Sequence, residues 1–140
     1  MTHSRNVNTS WQNIQNTNDN APVISDLALN TDVSNGQTSV TSVTVTDADN
    51  DTPTLSLTGD DAAALNITSE GVISFNTNPD YTSPIDSDGD NIYEFTVNAS
   101  DADFTTTQSA TVTVLETNDP PTFSGLESSY SVEENTVEVV

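Results

Sequence analysis

The segment Asn91–Ala99, NIYEFTVNA, decides how the chain folds. Tyr93, Phe95, Val97 and Ala99 recur at every second position with polar residues between them, and Ile92 stands outside that set. A period of two places all four on one side of an extended strand, which must then cover a core. A second such segment, SATVTVLE, sets Ala110, Val112 and Val114 against outward Thr111 and Thr113. TSVTSVTVTD, from Thr38 to Asp47, puts Val43 and Val45 on one face, while Val40 falls out of phase and marks a bulge or an edge. TLSLT offers Leu55 and Leu57. LNITSEGVISF reads as two short strands joined at Ser69-Glu70-Gly71, with the glycine in the left-handed position of a hairpin turn. An opening strand at Val23 to Leu29 completes about seven strands in roughly a hundred residues. That number and spacing predict an all-β fold, a seven-stranded antiparallel, immunoglobulin-like Greek-key β-sandwich.

Composition narrows the function classes. The 140 residues are room for one ordinary domain. They carry 22 acidic residues against a single basic one, for a formal net charge of −21. Such a charge repels nucleic acid and anionic lipid and draws cations. Leu, Ile, Val and Phe make up roughly a fifth of the chain, just above the range where acidic sequences stay disordered. There is no cysteine, so disulfides, thiolate zinc sites and cysteine nucleophiles are excluded. The one histidine, His3, has no nucleophile near it in a recognisable pattern, and no enzyme activity is expected.

The acidic residues are grouped. Asp47, Asp49 and Asp51 lie in DADND, Asp86, Asp88 and Asp90 in DSDGDN, and Asp101 and Asp103 in SDAD. Each group adjoins a predicted strand, so the carboxylates gather at the ends of the sandwich. Clustered carboxylates raise one another's pKa unless a cation neutralises them. A donor set made of oxygen alone selects hard cations, calcium first and magnesium second. Asp47 and Asp49, two residues apart on an extended chain, point the same way and can share an ion. Asp and Asn also serve simply as turn residues, and that reading competes at any single position. An EF-hand is excluded: a loop begun at Asp47 has Thr52 and Thr58, and one begun at Asp86 has Asn91 and Val97, where glycine and glutamate are required.

Two stretches repeat. NDNAP begins at Asn18 and NDPPT at Asn118, one domain length apart, just before the first predicted strand and just after the last. They belong at opposite poles of the sandwich, where linkers between tandem domains lie. The predicted organisation is therefore a tail or the end of a preceding repeat at 1–15, one repeat at 16–119, and the truncated start of a following repeat at 120–140.

The linker NDNAP, the DAD after the second strand, the LNITSEGVIS hairpin, PDY and the ASD after YEFTV together resemble the cadherin repeat, especially the cadherin-like domains of large bacterial surface adhesins. The resemblance covers about Asn16 to Asp119. It implies calcium (Ca2+) at the junctions between repeats. The N-terminal junction would use Asn18 through its side chain, Asn20 through its backbone carbonyl, Asp47, Asp49 and Asp101. The C-terminal junction would use Asp80, Glu116 and Asp119, with Asn118 reaching toward the next repeat. Thr82 stands where the family has a glutamate, so this pole is expected to bind more weakly. DSDGDN looks like an insertion of bacterial members; Asp86, Asp88 and Asp90 hold a further ion or form a solvated loop. The implied role is a calcium-stiffened module of an adhesin outside the cell or on its surface. Its partners would be neighbouring repeats of the same chain, another copy, or a cell-surface glycan or protein, and not nucleic acid. The rival reading is a polysaccharide- or ligand-binding β-sandwich module of a secreted protein.

Overall fold

The computed structural model describes residues 17–125. The proposed tail or preceding repeat at 1–15, and most of the following repeat, from residue 126 onward, lie outside the described residues. Nine strands form among the described residues: β1 (Val23–Ser25), β2 (Asn30–Ser34), β3 (Ser39–Ser42), β4 (Thr44–Thr46), β5 (Thr54–Thr58), β6 (Leu65–Ile67), β7 (Val72–Phe75), β8 (Ile92–Ser100) and β9 (Thr105–Leu115). A 3-10 turn, Ala62–Ala64, joins β5 to β6. Among the described residues, no helix is long and apolar enough to cross a membrane.

Eight of the nine pieces match the seven expected strands with one of them interrupted; β2 lies beyond the expected opening strand at Val23 to Leu29, which holds its strand geometry only as far as Ser25. The chain leaves β1 at Asp26, whose φ of 60° is a left-handed conformation open to a short polar side chain, and resumes as β2 at Asn30. The next expected strand breaks into β3 and β4 at Val43, whose amide donates across to the Gly71 carbonyl at 2.9 Å. Gly71 has to be glycine, because its φ is +85° and a Cβ there would collide with the Val43 carbonyl oxygen. The out-of-phase Val40 coincides with a register shift between Ser39 and Thr41 in the β3–β7 pairing.

The strands pair as a three-stranded sheet β3-β7-β6 with a two-stranded β1-β4 ribbon, and a four-stranded sheet of order β2-β9-β8-β5. One pairing departs from the antiparallel rule: β2 runs parallel to β9, from Asn30 beside Thr111 to Ser34 beside Leu115. The cause is the break at Asp26. After pairing with β4, the chain crosses to the four-stranded sheet without reversing direction and meets β9 in the same sense.

The core lies where period two placed it. Tyr93, Phe95, Val97 and Ala99 from β8 and Ala110, Val112 and Val114 from β9 are all buried, facing Ile73, Phe75 and Leu65 of the other sheet. Val43 is buried and Val45, Leu55 and Leu57 are half-buried. Tyr93 meets Phe75 edge to face, with centroids 4.9 Å apart and planes at 84°. Burying each such side chain contributes about 1.5–3 kcal/mol. The Tyr93 hydroxyl is not wasted: it accepts the Ile85 amide at 3.2 Å and so ties the loop before β8 to the core.

This frame has two ends. Val23 pairs with Thr46 and Ser100 with Thr54 and Thr105, which brings the first linker, the β4–β5 loop and the β8–β9 turn together at one pole. At the other, the Asn35 amide donates to Leu115 and the Gly36 amide to Pro79, gathering the start of the second linker and the loop before β8.

Candidate metal centres

At the first pole, three chain segments are knitted together through their acidic and amide side chains. Asn18 donates its amide to Asp101 at 2.9 Å. The same Asp101 oxygen accepts the backbone amides of Asp103 at 2.8 Å and Phe104 at 2.7 Å, which folds the DADF turn around it. Asp49 receives the linker: the backbone amides of Asp19 and Asn20 reach one of its oxygens at 3.0 and 2.8 Å, and the Asn20 side chain reaches the other at 2.8 Å. Asp47 accepts the Asp49 amide at 2.8 Å.

These bonds act on the carboxyls. The Asn20 side chain, then its backbone amide, hold Asp49 below the ordinary carboxylate value. Desolvation pulls Asp101 upward, but the bonds from Asn18, Asp103 and Phe104 together outweigh it and leave that carboxyl lowered as well. Both groups are therefore anionic at neutral pH.

What the hydrogen bonds leave over is more informative. Six buried side-chain oxygens among the described residues have no partner: Asn18 Oδ1, Thr31 Oγ1, Asp47 Oδ2, Asp86 Oδ1, Asn91 Oδ1 and Asp101 Oδ2. Native proteins tolerate few such atoms, since each unpaired buried acceptor costs about 1–3 kcal/mol. Three of the six sit at the first pole, one on each of the three segments that meet there. In each case the second polar atom of the side chain is used within the protein, and the remaining oxygen is an acceptor that only a donor or a cation can satisfy. Carboxylate and amide oxygens alone form the donor set of a hard divalent cation, so these residues fit one.

The pole at the second linker is built differently. One Asp80 oxygen accepts both the Thr82 amide at 3.0 Å and its hydroxyl at 2.8 Å, and the hydroxyl bond leads in lowering that carboxyl. Glu116, Asn118 and Asp119 are exposed and together line an open cleft, and none of the unpaired buried oxygens belongs to them.

The loop between β7 and β8 brings its aspartates together. One carboxylate oxygen from each of Asp86, Asp88 and Asp90 lies within 4.8 Å of the others, a set of three found at no other place among the described residues. Asp86 is 8% exposed, and its Oδ2 accepts the amides of Asp90 at 2.7 Å and Asn91 at 3.2 Å. Asp90 caps the start of β8 by accepting the Ile92 amide at 2.8 Å. Desolvation first, and then the charge of Asp90, raise the Asp88 carboxyl.

Two residues here escaped sequence reasoning. Asp61 is 4% exposed; its oxygens accept the Ser87 amide at 2.6 Å and the Glu94 amide at 2.8 Å, so it clamps the acidic loop to β8. It lies outside the acidic groups that the sequence marked, and nothing local signals its burial. Asn91 is also buried, has φ of 67°, and donates its side-chain amide to the Tyr81 carbonyl at 3.1 Å. Its place after Gly-Asp is the signal that was available, since asparagine tolerates the left-handed conformation of such a turn.

An open cleft lies over β9 and β8, between Leu29, Gly59, Glu94 and Thr111. Its only aromatic, Phe95, is 3% exposed and gives a sugar ring no platform to stack on.

No family model and no curated protein matches the chain. Solved structures do. The chain is similar to mouse cadherin-23 EC22-24 (22% identity, TM-score 0.59), covering 72% of this chain and 32% of that one. Human protocadherin-24 EC1-2 matches at 18% identity and a TM-score of 0.54, over 68% and 43% of the two chains. Drosophila N-cadherin EC1-4 matches at 18% and 0.57, over 68% and 24%. The chain thus spans less than half the length of each. At these identities the likeness is one of fold, and the domain is cadherin-like in fold.

Proposed function

We propose that this cadherin-like domain is a calcium-binding module of an extracellular bacterial adhesin, with residues 16–119 acting as one unit of a tandem array. The observation that carries the reading is the set of unpaired oxygens on Asn18, Asp47 and Asp101, drawn from the linker, the β4–β5 loop and the β8–β9 turn. Asn18, Asp47 and Asp101 would hold the ion. Asn20 and Asp49 complete the proposed N-terminal set, and the bonds of the Asn20 and Asp19 amides to Asp49 already hold the linker against the loop.

The action is mechanical. Calcium, when bound, supplies positive charge that joins anionic groups otherwise left to repel one another. The chain's own residues do the rest: Asp49 clasps the linker, Asp101 shapes its turn, and Asn18 bridges linker and turn. With the ion in place the linker cannot swing, and the angle between this domain and whatever precedes it is set. At the other pole, Asp80, Glu116, Asn118 and Asp119 are exposed and form a weaker half-site that needs oxygens from a following repeat. Binding to the folded form alone adds stability as well.

An extracellular setting suits this chemistry, because modules of that kind bind calcium at about 10⁻⁴ to 10⁻³ M. The bacterial assignment is supported by the DSDGDN insertion. The partners proposed are neighbouring repeats and, through the array, another copy or a cell-surface glycan or protein. The test is thermal unfolding of the chelator-treated chain with and without millimolar calcium. A raised midpoint supports the reading, and an unchanged one overturns it.

A further inference from the structure

The loop Asp86–Asn91 is separate from the first pole. It leads into the start of β8, whereas Asp101 follows the end of the same strand, so at about 3.3 Å per residue the two lie roughly 30 Å apart. Among the described residues its attachments are internal to the domain: Ile85 to Tyr93, Ser87 to Asp61, Asn91 to Tyr81 and Asp90 to Asp86.

Three carboxylates within 4.8 Å of one another would by themselves be an ordinary acidic turn. The second observation is Asp86. It is more than nine-tenths buried, its Oδ2 is spent on two backbone amides, and its Oδ1 is shut away from solvent without any donor. A buried anion with an unsatisfied oxygen, facing two further carboxylates, is unfavourable unless a cation meets all three. Asn91, the next residue beyond the cluster, carries another buried oxygen without a partner. Gly89, at φ +77°, provides the tight turn that lets Asp88 and Asp90 come round to the same side as Asp86.

We infer that the Asp86–Asn91 loop is a self-contained calcium site, with Asp86, Asp88 and Asp90 as ligands and the Asn91 amide oxygen beside them. Unlike a junction site, it needs no oxygen from a neighbouring repeat. Bound calcium fastens the β7–β8 loop over the edge of the core, between the Tyr93 hydroxyl and the Asp61 clamp. The oxygen-only donors and the net charge of three carboxylates favour calcium over magnesium, which keeps its own waters and demands a stricter geometry.

The experiment is a calcium titration of the chelator-treated 140-residue chain, followed through the backbone amide signals of Asp88, Gly89 and Asp90. The wild-type signals should move saturably, and magnesium at the same concentrations should move them far less. Asp88→Asn and Asp90→Asn, both exposed positions, should weaken that response at least about tenfold while the signals of Asp47 and Asp101 titrate as before. Asp47→Ala should leave the loop response intact, so the two sites fail or succeed separately. Loop signals that stay put up to about 10 mM calcium, or that respond equally in Asp88→Asn, would overturn the inference.

Discussion

Replacing Asp61 with alanine tests how the acidic loop is held. Asp61 is buried, and each of its oxygens accepts one backbone amide, Ser87 at 2.6 Å and Glu94 at 2.8 Å. Hydrogen bonds to a charged acceptor contribute about 1.5–3 kcal/mol each, and a donor left buried without one costs a comparable amount. The two donors are not equal. Ser87 lies on an exposed loop and its amide can turn to water, so its loss falls at or below the low end. The Glu94 amide belongs to β8, packed beneath the 3-10 turn, and has no such recourse. Against both stands the relief of no longer burying a carboxylate. The net expectation for Asp61→Ala is about 3 kcal/mol. At about 4–8 °C per kcal/mol for a domain near a hundred residues, the midpoint should fall by roughly 12–24 °C. Thermal unfolding in chelator measures it, and the loop amides should lose hydrogen-exchange protection together. A fall of less than about 4 °C, with the Ser87 and Glu94 amides still protected, would refute the clamp.

Asp101→Asn keeps an oxygen for the Asn18, Asp103 and Phe104 donors but removes the charge. It should stay folded, with calcium affinity at the first pole down at least about tenfold by calorimetry; unchanged affinity counts against that site. Gly71→Ala should cost about 2 kcal/mol or more in urea unfolding, because of its positive φ and the Val43 carbonyl in the path of a Cβ; a neutral effect would contradict the described turn. The lowered carboxyls of Asp49 and Asp101 set a sign with pH: their contribution is complete above the ordinary aspartate value of 3.8 and is lost as pH falls through the folded value. In metal-free protein, the side-chain amide signals of Asn18 and Asn20 should hold down to that value and collapse only below it. Collapse at a higher pH would show that the bonds to Asp49 and Asp101 do not hold the linker.

Period two made the core legible. Tyr93 to Ala99 and Ala110 to Val114 alternate because each strand covers the core with one face, and the out-of-phase Val40 marked a real register shift. The breaks at Asp26 and Val43 were not legible, because one depends on a single backbone angle and the other on a bond to Gly71 across the sheet. The parallel β2–β9 pairing follows from the first break and was hidden with it. Asn18, Asp47 and Asp101 were legible as a group only through the family resemblance, since Asp101 lies 54 positions after Asp47 in the chain. That Asp49 clasps backbone amides, and that Asp61 is buried at all, are facts of packing, which composition does not carry.

The most direct test of the account is to follow Asn18, Asp47 and Asp101 themselves during a calcium titration of the metal-free chain. The account predicts that the Asn18 side-chain amide and the backbone amides of Asp47 and Asp101 move together, with one dissociation constant of about 10⁻⁴ to 10⁻³ M. Signals that remain fixed at about 10 mM calcium, in a chain that is demonstrably folded, would contradict it.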